Sequence, residues 1–182
     1  WYGLEDGAFV TPAKGEALLV VLSGPEPARS LWEANLLQQW QDWAKQEDIG
    51  GPAALWLVRG LPDSAAPFTS AAPLTPARIP TFGYWNSPDD ATLATLMAGA
   101  GLIISRPGYS SLMDYAVWNQ NQGRPVLHLC LVPAGGHSEQ AYLAHKLDRE
   151  GQAQRQSESS LNLRDAWARR KQTKFTYGIP RP

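Results

Sequence analysis

Gly101-Leu102-Ile103-Ile104-Ser105-Arg106-Pro107-Gly108-Tyr109-Ser110-Ser111-Leu112-Met113-Asp114 decides the fold of this chain. Gly101 to Ser105 is apolar throughout and too short for a helix. Such a run reads as a strand buried on both faces. Arg106-Pro107-Gly108 is a turn, and Ser110 to Trp118 carries helical spacing. The same succession follows at once. Arg124 to Val132 reads as a strand, Pro133-Ala134-Gly135-Gly136-His137 as a turn, and Ser138 opens a helix to about Arg149.

Upstream, Ala17-Leu18-Leu19-Val20-Val21-Leu22 and Ala53-Ala54-Leu55-Trp56-Leu57-Val58 are two more buried-type strands. Between them, Ser30 and Glu33 have the spacing of a capping box, with Leu36, Leu37, Trp40 and Trp43 behind it. A helix is therefore predicted from about 30 to 46, stopped by Gly50-Gly51-Pro52. Residues 61–77, rich in Pro, Ala, Ser and Thr, read as an irregular loop. Ile79 to Trp85 reads as a third strand, weakened by Pro80 and Gly83. Ser87-Pro88-Asp89-Asp90 opens a helix to about Ala98, with Pro at its first position. Residues 151–160 read as a short edge strand and Leu161 to Lys171 as a last helix. The alternation of strands and helices predicts an α/β, Rossmann-like, mainly parallel sheet with helices on both faces. The expected division is a lead-in over 1–16, one domain over 17–175 and a tail over 176–182.

The chain has 182 residues, 43% of them hydrophobic and 18% charged, which excludes global disorder. Lys plus Arg is 16 and Asp plus Glu is 17, without the basic excess that nucleic-acid binding needs. A single cysteine, Cys130, rules out an internal disulfide, and three histidines leave little for metal chemistry. No apolar run reaches the roughly 18 to 20 residues that span a bilayer, and no signal peptide is visible. Cytoplasmic residence is the expectation. The chain opens Trp1-Tyr2-Gly3 rather than with Met, so a fragment of a longer protein is expected.

Parallel sheets bind ligands beyond the carboxyl ends of their strands. Four strand ends carry distinctive residues: Ser23-Gly24-Pro25-Glu26-Pro27-Ala28-Arg29, Arg59-Gly60, Ser105 to Ser111, and Pro133 to Gln140. Gly108, Tyr109, Ser110 and Ser111 at a helix start offer backbone N–H groups and hydroxyls to a phosphate, to which Arg106 adds a fork. Asp114, one turn on, can accept the two hydroxyls of a ribose. Glu139 and Gln140 suit sugar hydroxyls. Each has a structural reading too. Ser111 with Asp114 matches a capping box, Ser138 with Glu139 an ordinary helix start, and Ser23-Gly24-Pro25 a plain turn. His137 reads equally as a loop histidine, and Arg59 as the partner of a surface carboxylate. His128 and Cys130 read as strand residues. Most of the eight tryptophans read as core, although Tyr84 and Trp85 could flank a planar ring.

Taken together, Gly101 to Leu147 resembles the C-terminal, donor-binding half of GT-B glycosyltransferases of the MurG type. These transfer N-acetylglucosamine from UDP-N-acetylglucosamine. The resemblance rests on Ser-Arg-Pro-Gly-Tyr-Ser-Ser-Leu-Met-Asp after a strand and on His-Ser-Glu-Gln-Ala-Tyr-Leu-Ala after the next. It implies the C-terminal half of a GT-B fold and an inverting transfer that needs no metal or other cofactor. By this resemblance Gly108, Tyr109 and Ser110 meet the donor diphosphate, and Ser23, Gly24, Arg106 and Ser111 are the further phosphate-binding candidates. Asp114 meets the ribose, His137, Glu139 and Gln140 the donor sugar, and Tyr84 and Trp85 lie near the base. The sequence departs from the family at Pro25-Glu26-Pro27, which stand where a glycine-rich loop is usual, and at Pro107, which stands where serine is usual. The implied partners are a nucleotide sugar and an acceptor domain, in cis or on another chain. No catalytic base is evident, so the chain alone is expected to bind rather than turn over. A UDP-sugar hydrolase or 2-epimerase half and a non-catalytic subunit of a split transferase are the alternatives.

Overall fold

The computed structural model describes residues 13–46, 50–62, 81–121 and 127–176. The expected loop over 61–77 falls mostly outside them, as do Ile79, Pro80, Arg124 to Val126, and most of the lead-in and tail. Strands β1 (Ala17–Val21), β2 (Ala54–Val58), β3 (Thr81–Trp85), β4 (Ala100–Ser105), β5 (Leu129–Leu131) and β6 (Gln154–Arg155) form one sheet in the order β3-β2-β1-β4-β5-β6. Every neighbouring pair is parallel. This is the Rossmann-like α/β fold, with its switch point between β1 and β4. The predicted strand over 124–132 is represented by Leu129–Leu131. Beyond it, Val132 N–H still donates to Ser105 O (3.0 Å).

The apolar strands are explained by cover on both faces. Leu18, Val20 and Leu22 point to one core with Trp32, Leu36, Trp40 and Trp43 of α1 (Ala28–Ala44) and with Trp167 of α5 (Leu163–Ala168). Ala17 and Leu19 point to the other, beneath α2 (Asp90–Gly99), α3 (Tyr109–Asn121) and α4 (Ser138–Arg149). Alternation thus buries both sides of one strand. Cys130 lies inside the sheet, and burial pushes its thiol up to about 12.

Gly101 sits in a bulge, because Ala17 pairs with Ala100 and Leu18 with Leu102. A Cβ there would land on the carbonyl oxygen of Gly15, so only glycine fits.

Two helix starts differ from expectation. Helix α1 begins at Ala28, and Ser30 with Glu33 forms no capping box. Instead Ser30 N–H donates to Glu26 Oε2 (3.2 Å). Glu33 is drawn into a buried cluster, accepting from Arg29 (2.5 Å) and from Arg59 (2.8 Å). Two guanidinium groups outcompete one backbone amide for its carboxylate. Arg59 also donates to Asn86 (3.1 Å), and Arg29 to Glu26 (2.7 Å). Burial works against the charge of Arg29, but bonds to Glu33 and Glu26 more than offset it and raise its pKa. The cluster ties the loop after β1 to the ends of β2 and β3. In α2 the cap is Asp89, which accepts from Thr92 N–H (2.7 Å), so Pro88 precedes the helix.

Gly101→Ala is expected to destabilise the chain by about 1 to 3 kcal/mol. Gly135→Ala, whose Cβ meets nothing within 4 Å, should stay within about 0.5 kcal/mol of the parent. Urea unfolding of both compares them, and equal losses would refute the bulge argument. Glu33→Ala leaves the buried Arg29 facing the half-buried Arg59, and a loss of about 3 to 5 kcal/mol is expected in the same assay.

Candidate functional site

The carboxyl ends of all six strands lie on one edge in register. Trp85 aligns with Val58, Val21, Ser105, Leu131 and Arg155. The turns after β4 and β5 therefore leave neighbouring strands at the same lip, and the loop after β1 lies on the other side of β4.

In the loop after β1, Ser23 and Gly24 are exposed, with Gly24 at φ +111°. Ser23 makes no side-chain hydrogen bond among the described residues. Pro25 and Pro27 carry no N–H, and Glu26 is committed to Arg29 and Ser30, which lower its pKa. This side of the rim is poor in donors.

The turn after β4 is richer. Leu112 N–H makes the first helical bond, to Gly108 O (3.0 Å). The amides of Tyr109, Ser110 and Ser111 precede it and stay unclaimed by the backbone, at the positive end of α3. Tyr109 and Ser110 are exposed, and Ser111 and Gly108 half-buried. Asp114 is exposed one turn further on. Ser111 and Asp114 make no mutual bond, so the capping reading of Asp114 has no contact behind it; its carboxylate has no hydrogen bond or ion pair among the described residues.

Arg106 is placed differently from the expected open fork. Its side chain is 3% exposed and ion-paired to Glu158 (2.9 Å). It also donates to Val132 O (3.2 Å) and lies over the Trp32 ring (4.2 Å). The guanidinium is at the right edge of the sheet, but Glu158 occupies it.

After β5, Ala141 N–H opens the helical ladder on His137 O (3.0 Å), which leaves the amides of Ser138, Glu139 and Gln140 ahead of it. The cap residue of α4 is His137 rather than Ser138, with no side-chain bond. Glu139 is exposed and unpaired among the described residues. Gln140 uses its carbonyl oxygen to accept from Ala134 N–H (2.9 Å), fixing the turn.

Tyr84 and Trp85 reach the same edge on β3, at the far side of β2 and β1 from the switch point. Three strand spacings put them on the order of 14 Å from β4. Tyr84 packs against the α1 core and stacks with Phe82 (6.4 Å), while Trp85 packs against the opposite core. They serve as packing residues of an edge strand.

Three participants were not evident from local pattern. Glu158, Trp32 and the partnership of Glu33 with Arg59 depend on contacts between distant segments. Among the described residues no three or more His, Cys, Asp or Glu are grouped to hold a metal ion. No helix among them is long and apolar enough to cross a membrane.

No family model matches the chain, and no curated protein matches it. Among solved structures it is similar to the crystal structure of the glycotransferase of kitacinnamycin, with a TM-score of 0.55 and 12% identity. The match covers 91% of this chain and 36% of that one, so the chain spans about a third of the other's length. The chain thus shares a Rossmann-like α/β fold with one part of that structure.

Proposed function

We propose that this chain is the donor-binding domain of a glycosyltransferase-type protein and holds a nucleotide sugar at the lip formed by the turns after β4 and β5. The observation that carries this reading is the start of α3. Its unclaimed amides suit a diphosphate, and one turn on stands Asp114, whose carboxylate has no partner among the described residues and suits a ribose. Glu139 and Gln140, at the start of the next helix, are the groups for the sugar. In the reaction of the whole protein this lip would steady the leaving diphosphate, a contribution that grows as negative charge develops on it. UDP-N-acetylglucosamine is the donor favoured by the likeness of residues 101–147 to MurG-type enzymes, and no metal is assigned a role.

The rest of the cleft belongs to another domain or chain. In support, Leu31 (67% exposed), Tyr109 (57%) and Tyr142 (65%) stand in the first two turns of α1, α3 and α4. All three helices start at the carboxyl edge, so apolar side chains are offered to solvent beside the proposed site.

UDP, UDP-N-acetylglucosamine and GDP titrated into the chain by calorimetry test the reading, with Asp114→Ala as the control. Binding of the uridine ligands is expected. Loss of the Asp114 bonds should weaken it about 10- to 100-fold, as for hydrogen bonds to a charged group. Absence of binding at millimolar ligand would overturn the assignment. Unchanged binding by Asp114→Ala would remove that residue from the site.

A further inference from the structure

Arg106 stands at the switch-point edge in the turn that leads into α3, yet its charge is already satisfied from within the chain. Its fork is held by Glu158, at 2.9 Å and 3.3 Å. The two partners are unequally placed: the Arg106 side chain is 3% exposed and that of Glu158 34%. The guanidinium is the inner member and the carboxylate the outer one. An anion coming from solvent meets Glu158 first.

Arg106 is anchored independently of Glu158. Its Nη1 donates to Val132 O, and its plane lies on Trp32. Removing the carboxylate would leave the guanidinium where it is. The surroundings also hold a surplus of donors. Arg106 Nε and Trp32 Nε1 are both buried N–H groups without an acceptor. Such groups are costly to leave unmet, so the surroundings of the Arg106 guanidinium are not fully satisfied by Glu158.

Glu158 is borne on an exposed turn. Ser157 and Ser160 brace it through their hydroxyls (2.6 Å), and Gln156 N–H donates to Leu131 O (3.2 Å). Among the described residues, the Glu158 side chain is what connects this turn to Arg106.

We propose that Glu158 is an internal stand-in for the phosphate group of the ligand. It holds the Arg106 fork while the site is empty and gives it up to a diphosphate when the site fills. This rests on the donor-site reading above and adds a residue and an exchange to it. The carboxylate and a phosphate present the same two-oxygen face to a guanidinium, which makes the exchange geometrically direct. Its cost is that of parting an ion pair whose inner member is buried and whose outer member is partly exposed, so affinity in the parent chain is reduced by the fraction of molecules in which Glu158 has let go.

The test is titration of inorganic pyrophosphate and of UDP into the full chain and into Glu158→Gln, which keeps the shape and removes the charge. Glu158→Gln is expected to bind both about fivefold more tightly. In Glu158→Gln with Arg106→Gln that gain should vanish. A gain that survives in the double variant would reflect loss of general repulsion and overturn the exchange. Unchanged or weaker binding by Glu158→Gln, with UDP still bound by the parent chain, would overturn it and leave the donor site standing. Failure of the parent chain to bind either probe would overturn both. A measurement on the unaltered chain needs no variant to fold. The Nε–Hε resonance of Arg106 should shift at saturating pyrophosphate, and an unmoved resonance would refute the exchange.

Discussion

A strand that is apolar on every side chain has no face it can show to water, and this constraint organises the whole chain. β1, β2 and β4 each alternate between two cores, so each must be covered from above and below. Parallel pairing satisfies this because each return crossing carries chain over a face. The two cores divide the helices between them, with α1 and α5 on one side and α2, α3 and α4 on the other. A consequence is that every strand is left at the same edge. The turns that leave the strands are gathered there because every strand runs in the same direction.

Some of this was legible from residues alone. Ala17 to Leu22, Ala54 to Val58 and Gly101 to Ser105 announce themselves because burial on both faces leaves no polar position. The helix starts near Gly108 and Ser138 are equally plain, since a turn rich in Pro and Gly separates a strand from a new periodicity. In the sequence Gly101 reads simply as the first residue of a strand. Its bulge became evident only with Gly15 lying across it, a neighbour far away in sequence.

What was not legible was decided between distant segments. Ser30 and Glu33 have ideal capping spacing, but Arg59 and Arg29 take the glutamate, and Glu26 takes the amide of Ser30. Arg106 carries the right charge at the right edge, and its partner Glu158 lies 52 residues away in a polar stretch with no pattern to mark it. Local spacing states which bonds a side chain can make; it does not count the competitors that folding brings within reach. Asp114 is the converse case. Its spacing from Ser111 allowed a cap, and the folded chain leaves it unpaired among the described residues.

The bond from Ala134 N–H to Gln140 has a chemical corollary. A backbone amide can only give a proton, so the amide oxygen of Gln140 must be the atom facing it, and the orientation of the carboxamide is settled. What Gln140 has left to offer is its NH2, which reads lone pairs. Glu139 beside it, when ionised, offers only lone pairs. Adjacent positions at one helix start therefore hold opposite hydrogen-bonding polarities, and a hydroxyl group, which both gives and takes, is a chemical group that answers to both.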